Sequence, residues 1–344
     1  MSITRRQAMA GLSASAVMAP AIVRAQGSAT KIKVGVVGTT SDAPFFIADR
    51  KGWFREEGLA VDFVFFDSAA KMMAPLGTGD LSVGGGATSA ALYNAAAREV
   101  QVKIVADKAK NTKGYGFQAL MVRKALEGQV KGFADLKGRK IAVSAPGNSE
   151  QYLLSLALAA GGLKLTDIDL AYLGFPQHPA AFANGAIDAS ISTEPTTTSE
   201  LKNGVAFKLA GADTFAPNFQ TAVTFYSGDF ITKDRDTGHR FMKALLRAAR
   251  FYHANLVGGH LAGPQGEEII SIMTQDSPIK DPQVYRDITS HDIDPNGEVD
   301  EASLRAIWGF FKDQKLIDGS RTLDDVLDMS FARAAAKELG PVKS

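Results

Sequence analysis

From position 31 onward, short β-branched runs alternate with longer segments whose apolar residues recur at helical spacing. The runs at 31–37 (KIKVGVV), 60–66 (AVDFVFF), 81–84 (LSVG) and 102–106 (VKIVA) predict strands. Between them, 44–56 and 87–97 predict helices. Ser41 or Asp42 stands where it can cap the first helix, and Pro44 suits its opening turn. A second series follows, with strands expected at 118–122, 139–143, 168–173 and 186–191 and helices at 148–160, 179–184 and 194–203. Beyond a strand at 221–226 the pattern is helical, at 234–256, 264–274, 281–290 and 300–315. This alternation predicts an α/β protein with mostly parallel sheets covered by helices. Two such blocks and a helical tail fit either two sequential domains or two lobes between which the chain crosses and returns. In the second arrangement the strands at 118–122 and 221–226 are hinge segments.

The 344 residues suffice for two lobes of ordinary size, and a 45% hydrophobic content supplies a core. Basic and acidic residues number 38 and 37, a balance that argues against a nucleic-acid partner. There is no cysteine. Disulfides, thiolate nucleophiles, cysteine-ligated metals and a lipid on a processed N-terminal cysteine are therefore excluded.

The first 25 residues read as an export leader rather than as part of the fold. Arg5 and Arg6 precede an apolar stretch from Ala8 to Val23, and cleavage is expected near Ala25. The paired arginines resemble a twin-arginine signal. Loss of the leader removes three arginines and no acid, which turns the small positive balance slightly negative. The expected destination is the periplasm.

Four polar loops each follow the end of a predicted parallel strand: GTTSDAPF (38–45), GGGATSA (84–90), SAPGNSEQY (144–152) and SISTEPTTT (190–198). None has the spacing of a nucleotide phosphate loop. Each leads into a helix start, where free N–H groups and the helix dipole favour acceptors. Ligands of open α/β sheets bind at this edge of the strands. Four such loops drawn from both blocks predict one cleft between two lobes.

The five histidines form no metal-binding spacing, and no Gly-x-Ser-x-Gly is present. His178 follows a strand end and is the histidine closest to the expected cleft. DIDPNGEVD (292–300) imitates the start of a calcium loop, but Ser303 stands where the bidentate Glu belongs, so it reads as a turn capping the next helix. No metal, cofactor or catalytic residue is assigned. The basic helix face near 243–250 reads as solvated, with permease docking as its functional alternative.

DAPFFIADRKGWFREEGLAVDFVFF (42–66), DLKGRKIAVSAPGNSEQYLLSLALAAGGL (135–163) and FANGAIDASISTEP (182–195) together resemble periplasmic solute-binding proteins of the nitrate/sulfonate/taurine type, a group that includes thiamine-precursor binders. The resemblance implies a two-lobed periplasmic binding protein of type II that closes over its solute. It places one lobe at 26–118 and 222–344 and the other at 119–221. It puts Thr40, Ser41, Asp42 and Phe45 on one cleft wall beside Gly86, Ala87, Thr88 and Ser89. Gly147, Asn148 and Ser149 face them, with Thr193 and Glu194 nearby and Phe225 at the returning crossover.

No Arg or Lys lies in the four loops, and Asp42 and Glu194 would repel an anion, which points away from a strongly anionic ligand. Sulfonates, carboxylates and pyrimidine-like rings stay open, with Phe45 or Phe225 available to stack. Glu194 is expected to matter more for affinity than the more peripheral Glu200. The expected function is a monomeric, non-enzymatic receptor that delivers a small-molecule solute to an ABC permease with its cytoplasmic ATPase. The alternatives are a ligand sensor for a membrane signalling receptor and an exported enzyme on the same scaffold.

Overall fold

The computed structural model describes residues 29–342; the expected leader, with Arg5, Arg6 and the cleavage near Ala25, lies outside the described residues. Ten strands form two five-stranded sheets. The first contains β1 (Thr30–Val36), β2 (Leu59–Phe65), β3 (Val83–Gly86), β4 (Val102–Asn111) and β10 (Phe219–Ser227), in the order β2-β1-β3-β10-β4. The second contains β5 (Gln118–Arg123), β6 (Lys140–Val143), β7 (Asp169–Tyr172), β8 (Ala189–Thr193) and β9 (Ala206–Gly211), in the order β7-β6-β8-β5-β9. In the first sheet β10 alone runs against its neighbours, and in the second β5 does. The remaining pairings are parallel, as strand–helix alternation requires.

The strand that runs against each sheet is the one that enters from the other half of the chain. The floor between the sheets is tied at this double crossover. Asn111 Nδ2 donates to Gln118 Oε1 and to Thr221 Oγ1, both at 3.0 Å, joining the outgoing and returning segments through one amide.

Two expected helices are shorter than their pattern suggests. Segment 44–56 breaks into Ala43–Arg50 and Trp53–Glu56, because Gly52 adopts a left-handed φ of 73° and turns Trp53 into the core. Segment 87–97 becomes helical only at Ala90–Ala97, since residues 87–89 stay extended and Ser89 bridges to Asn148 of the other lobe. The edge strand β9 has no β-branched residue and gave little strand signal. The terminal helix Ser330–Leu339, also unanticipated, packs on the long helix Arg235–His253.

The first core joins that long helix to Ala43–Arg50 through Phe45, Phe54, Tyr226 and Phe241. The Phe54 and Phe241 rings stack with centroids 4.7 Å apart. The 292–300 stretch is a turn, as its spacing suggested. Asp294 Oδ1 accepts from the N–H groups of Asn296 and Glu298, and Asp300 Oδ1 caps the helix Glu301–Asp313 through Ser303 N–H at 2.9 Å. Among the described residues no cluster of His, Asp and Glu could hold a metal, and no helix is long and apolar enough to cross a membrane.

Candidate functional site

The ends of β1, β3, β6 and β8 converge where the two sheets face each other, and backbone atoms meet directly across the gap. Thr40 N–H donates to Glu194 O at 2.9 Å, Ala90 N–H to Gly147 O at 2.7 Å, and Ser149 N–H to Thr88 O at 2.9 Å. The lobes are therefore closed on each other. Two polar cavities of about 20 Å³ each lie between them, beside a larger apolar one. Ser41, Gln118, Thr193 and Thr221 line one; Ser68, Ser144 and Asn148 line the other; Val37, Ala87, Glu150 and Phe175 belong to both. Each exceeds the volume that one water needs, and neither approaches the several hundred Å³ of a typical ligand pocket.

The loop after β1 is organised by its own acid. Gly38 turns left-handed, so the N–H groups of Val37, Gly38 and Thr39 converge, and Asp42 Oδ2 accepts all three at 3.2, 2.8 and 3.1 Å. Asp42 does not cap the helix Ala43–Arg50 with its side chain; it closes the capping box of the short turn Thr40–Asp42 and fills the anion nest that the loop creates. Its other oxygen lies 2.8 Å from Lys108 Nζ, which also donates to Ser41 Oγ at 2.6 Å. Lys108 is 2% exposed and reaches the loop from β4, which lies beyond β10 from the loop-bearing strands β1 and β3. Burial pushes its ammonium below the ordinary range, and Asp42 pulls it partly back. Behind it His291 is stacked on Tyr252 at 4.6 Å and held well below its usual pKa, first by burial and then by the Lys108 charge.

The facing wall carries acids without a comparable cation. Glu150, in the first turn of the helix Ser149–Ala160, accepts from Ser144 N–H at 2.9 Å, and burial raises its carboxyl to about 7. Glu194 accepts from Thr198 N–H and Oγ1, both at 2.9 Å, and burial likewise raises it to about 7. Glu200 is not peripheral. It is fully buried, accepts from Ser192 Oγ at 2.9 Å and is pushed well above its ordinary value, first by burial and further by Glu194. Ser192 also meets His178 Nδ1 at 3.0 Å, while His178 Nε2 meets Leu173 O at 2.8 Å. A serine, a histidine and an acid are therefore adjacent, but all three are buried and both imidazole nitrogens have partners. The cluster cross-ties the second lobe, and burial lowers His178 to about 4.

Of the residues expected in the site, Ser41, Gly86, Ala87, Asn148 and Thr193 line the cavities. Thr40, Thr88, Ser89, Gly147, Ser149 and Glu194 stand on the contacting walls, where their backbones close the lobes or pair across them. The hydroxyls of Thr40 and Thr88 are buried and have no partner among the described residues. Phe45 and Phe225 are fully buried in hydrophobic clusters instead of lining the gap; Phe45 approaches the site only through the Lys108 ammonium, 5.8 Å from its ring.

Residues missing from the sequence expectation include Lys108, Gln118, Glu150 and Phe175, together with Val37, Ser68, Ser144 and Thr221 of the cavity walls. The absence of a cation from the loops is true of the loops and misleading about the site. The signal for Lys108 was the Asp107–Lys108 charge pair inside a strand otherwise apolar enough to be buried.

The family described as NMT1/THI5 like matches residues 39–255. The taurine-binding periplasmic protein of Escherichia coli K12 is 29% identical over 234 residues, 66% of this chain and 68% of its own. Among solved structures, the periplasmic nitrate-binding protein NrtA of Synechocystis PCC 6803 superposes with a TM-score of 0.74 at 16% identity, covering 90% of this chain and 89% of its own. The alkanesulfonate-binding protein SsuA of Xanthomonas axonopodis pv. citri, bound to MOPS, does so with 0.67 at 20% identity, covering 87% and 98%. At such identities the two structures establish the fold, that of periplasmic binding proteins, and the geometry of the gap has to carry the rest.

Proposed function

The chain belongs to the NMT1/THI5-like family, and from that premise we propose that it is the periplasmic solute receptor of an ABC importer, without enzymatic activity. The observation that carries this reading is the closed gap itself, in which four strand ends from two sheets meet through direct backbone hydrogen bonds. We take the lobes as 26–118 with 222–344 and as 119–221, hinged at the double crossover tied by Asn111. A solute enters the open form, and contacts made only on closure shift the population to the form that docks on the permease.

The solute carries a sulfonate or carboxylate head. Lys108 and the two unpartnered threonine hydroxyls supply donors on one wall, and Glu150 supplies a further donor when protonated. The relatives' solutes, taurine, alkanesulfonate and nitrate, support an acceptor-rich head. Thermal melting and titration calorimetry of the purified monomer against alkane- and arylsulfonates and carboxylates test this. A bound solute at 100 times its Kd stabilises by about 2.7 kcal/mol. No shift with any of them, and no small molecule released on denaturing the fresh protein, would overturn the reading.

A further inference from the structure

Next to the polar cavities lies a chamber of about 200 Å³, to which the four loops contribute only Gly38, Pro195 and Thr196. It too is built between the lobes. Val37, Gly38, Pro278 and Ile279 form one side; Phe175, Pro176, Pro179 and Pro195 form the other. Four of its residues are prolines, which bring no N–H group needing a partner, so most of the wall suits an apolar occupant, and Thr196 and Ser199 supply its only side-chain hydroxyls. Phe175 and Pro195 are buried in its floor, whereas Pro176 and Pro278 are exposed at its rim. Gly38 makes the rim tight: a Cβ at that position would come within 2.9 Å of the Pro278 ring.

Val37 and Phe175 line the chamber and both polar cavities. They form a shared partition, so a molecule whose head sits among Ser41, Gln118 and Glu150 has one apolar direction in which to extend. The volume fixes the size of what extends: an engineered apolar cavity of about 150 Å³ takes up benzene, so this chamber accommodates a six-membered ring with a methylene or two.

Resting on the receptor reading above, we propose that the chamber is a tail subsite, and that the solute is an amphiphile whose anionic head carries an aryl group or a branched alkyl group of similar size. Specificity for chain length and ring size then resides in the proline-lined walls rather than in the polar residues around the head.

The test compares matched pairs, methanesulfonate with benzenesulfonate and acetate with benzoate, by calorimetry on the purified protein. The unmodified protein should bind the aryl member about tenfold more tightly or better, as burial of a ring in an apolar site predicts. Ser199 lies on the chamber wall in the helix Thr196–Lys202, so Ser199→Phe fills the space from inside. That substitution should remove the aryl preference and leave the short member within about twofold of its original affinity. Ser199→Leu adds less volume and should give an intermediate loss, which keeps the comparison available where the larger side chain prevents folding. Equal affinity for short and aryl members overturns the tail subsite. So does an unchanged aryl preference in the variants, or equal weakening of both members. Failure of all four compounds to bind instead overturns the anionic-head receptor reading on which the subsite rests.

Discussion

The two walls of the gap face each other at hydrogen-bond distance and solve the problem of a buried acid differently. On the first wall Asp42 has three backbone donors and an ammonium 2.8 Å away, a site whose charges are balanced inside the lobe. On the second, Glu150 and Glu194 have hydrogen-bond donors but no close cation, and burial lifts both carboxyls to about 7. One wall therefore pairs its buried acid with a cation, and the other holds acids that change charge near neutral pH.

The sharpest way to break this contrast is to unbalance the first wall. Lys108→Met leaves Asp42 buried opposite no cation and should cost about 3–5 kcal/mol of stability, read from the urea midpoint. Adding Asp42→Asn should return a large part of the loss, because the amide oxygen can still accept from the β1 loop without a charge. A loss below about 1 kcal/mol for Lys108→Met would mean that the pair is solvated and the first wall is not balanced internally.

A smaller effect is expected on the second wall. The folded-state pKa of Glu150 is raised from 4.5 to about 7, so between those values the folded chain holds more protons than the unfolded one. Stability contributed by this group is complete below about 4.5, falls as pH rises through 7 and is level above it, an effect of up to about 3 kcal/mol. Glu150→Gln should flatten that share of the melting curve between pH 5 and 8. Binding gives a second sign: an anionic head beside Glu150 needs the protonated acid, so affinity should fall as pH rises through 7. Affinity that rises instead would place a cationic group of the solute beside Glu150 and reverse the assignment of head and tail.

The same contrast explains how much was legible beforehand. Most strands announce themselves by β-branched residues, β7 only through Ile168 just ahead of it, and the four loops by standing at strand ends before helix starts. The edge strand β9 was silent because Ala206–Gly211 is packed there by its neighbours, without strand preference of its own. In the site, loop residues could be named from their position in sequence, but Lys108 comes from mid-strand and Phe175 from a short turn after β7, where only the folded chain brings them together. Glu150 stands inside the quoted loop motif. It went unremarked because a first-turn acid is ordinary at a helix N-terminus, and only its burial makes it unusual. Glu200 lines neither cavity, and helical spacing alone could not reveal that its side chain turns inward to Ser192.

The smallest expected effect bears on a hydroxyl. Thr88 Oγ1 is buried on the first wall with no partner among the described residues, while its carbonyl closes the lobes through Ser149. A buried hydroxyl left unpaired costs free energy that a methyl of the same shape does not, so Thr88→Val should raise the stability of the solute-free protein by up to about 1 kcal/mol. If the hydroxyl is kept to donate to the solute head, the same substitution should weaken binding by roughly tenfold, because the donor is missing where the solute needs it. Opposite signs in melting temperature and affinity identify a binding group, whereas a gain in stability with unchanged affinity removes Thr88 from the site and leaves Lys108, Ser41 and Thr40 as the donors of that wall.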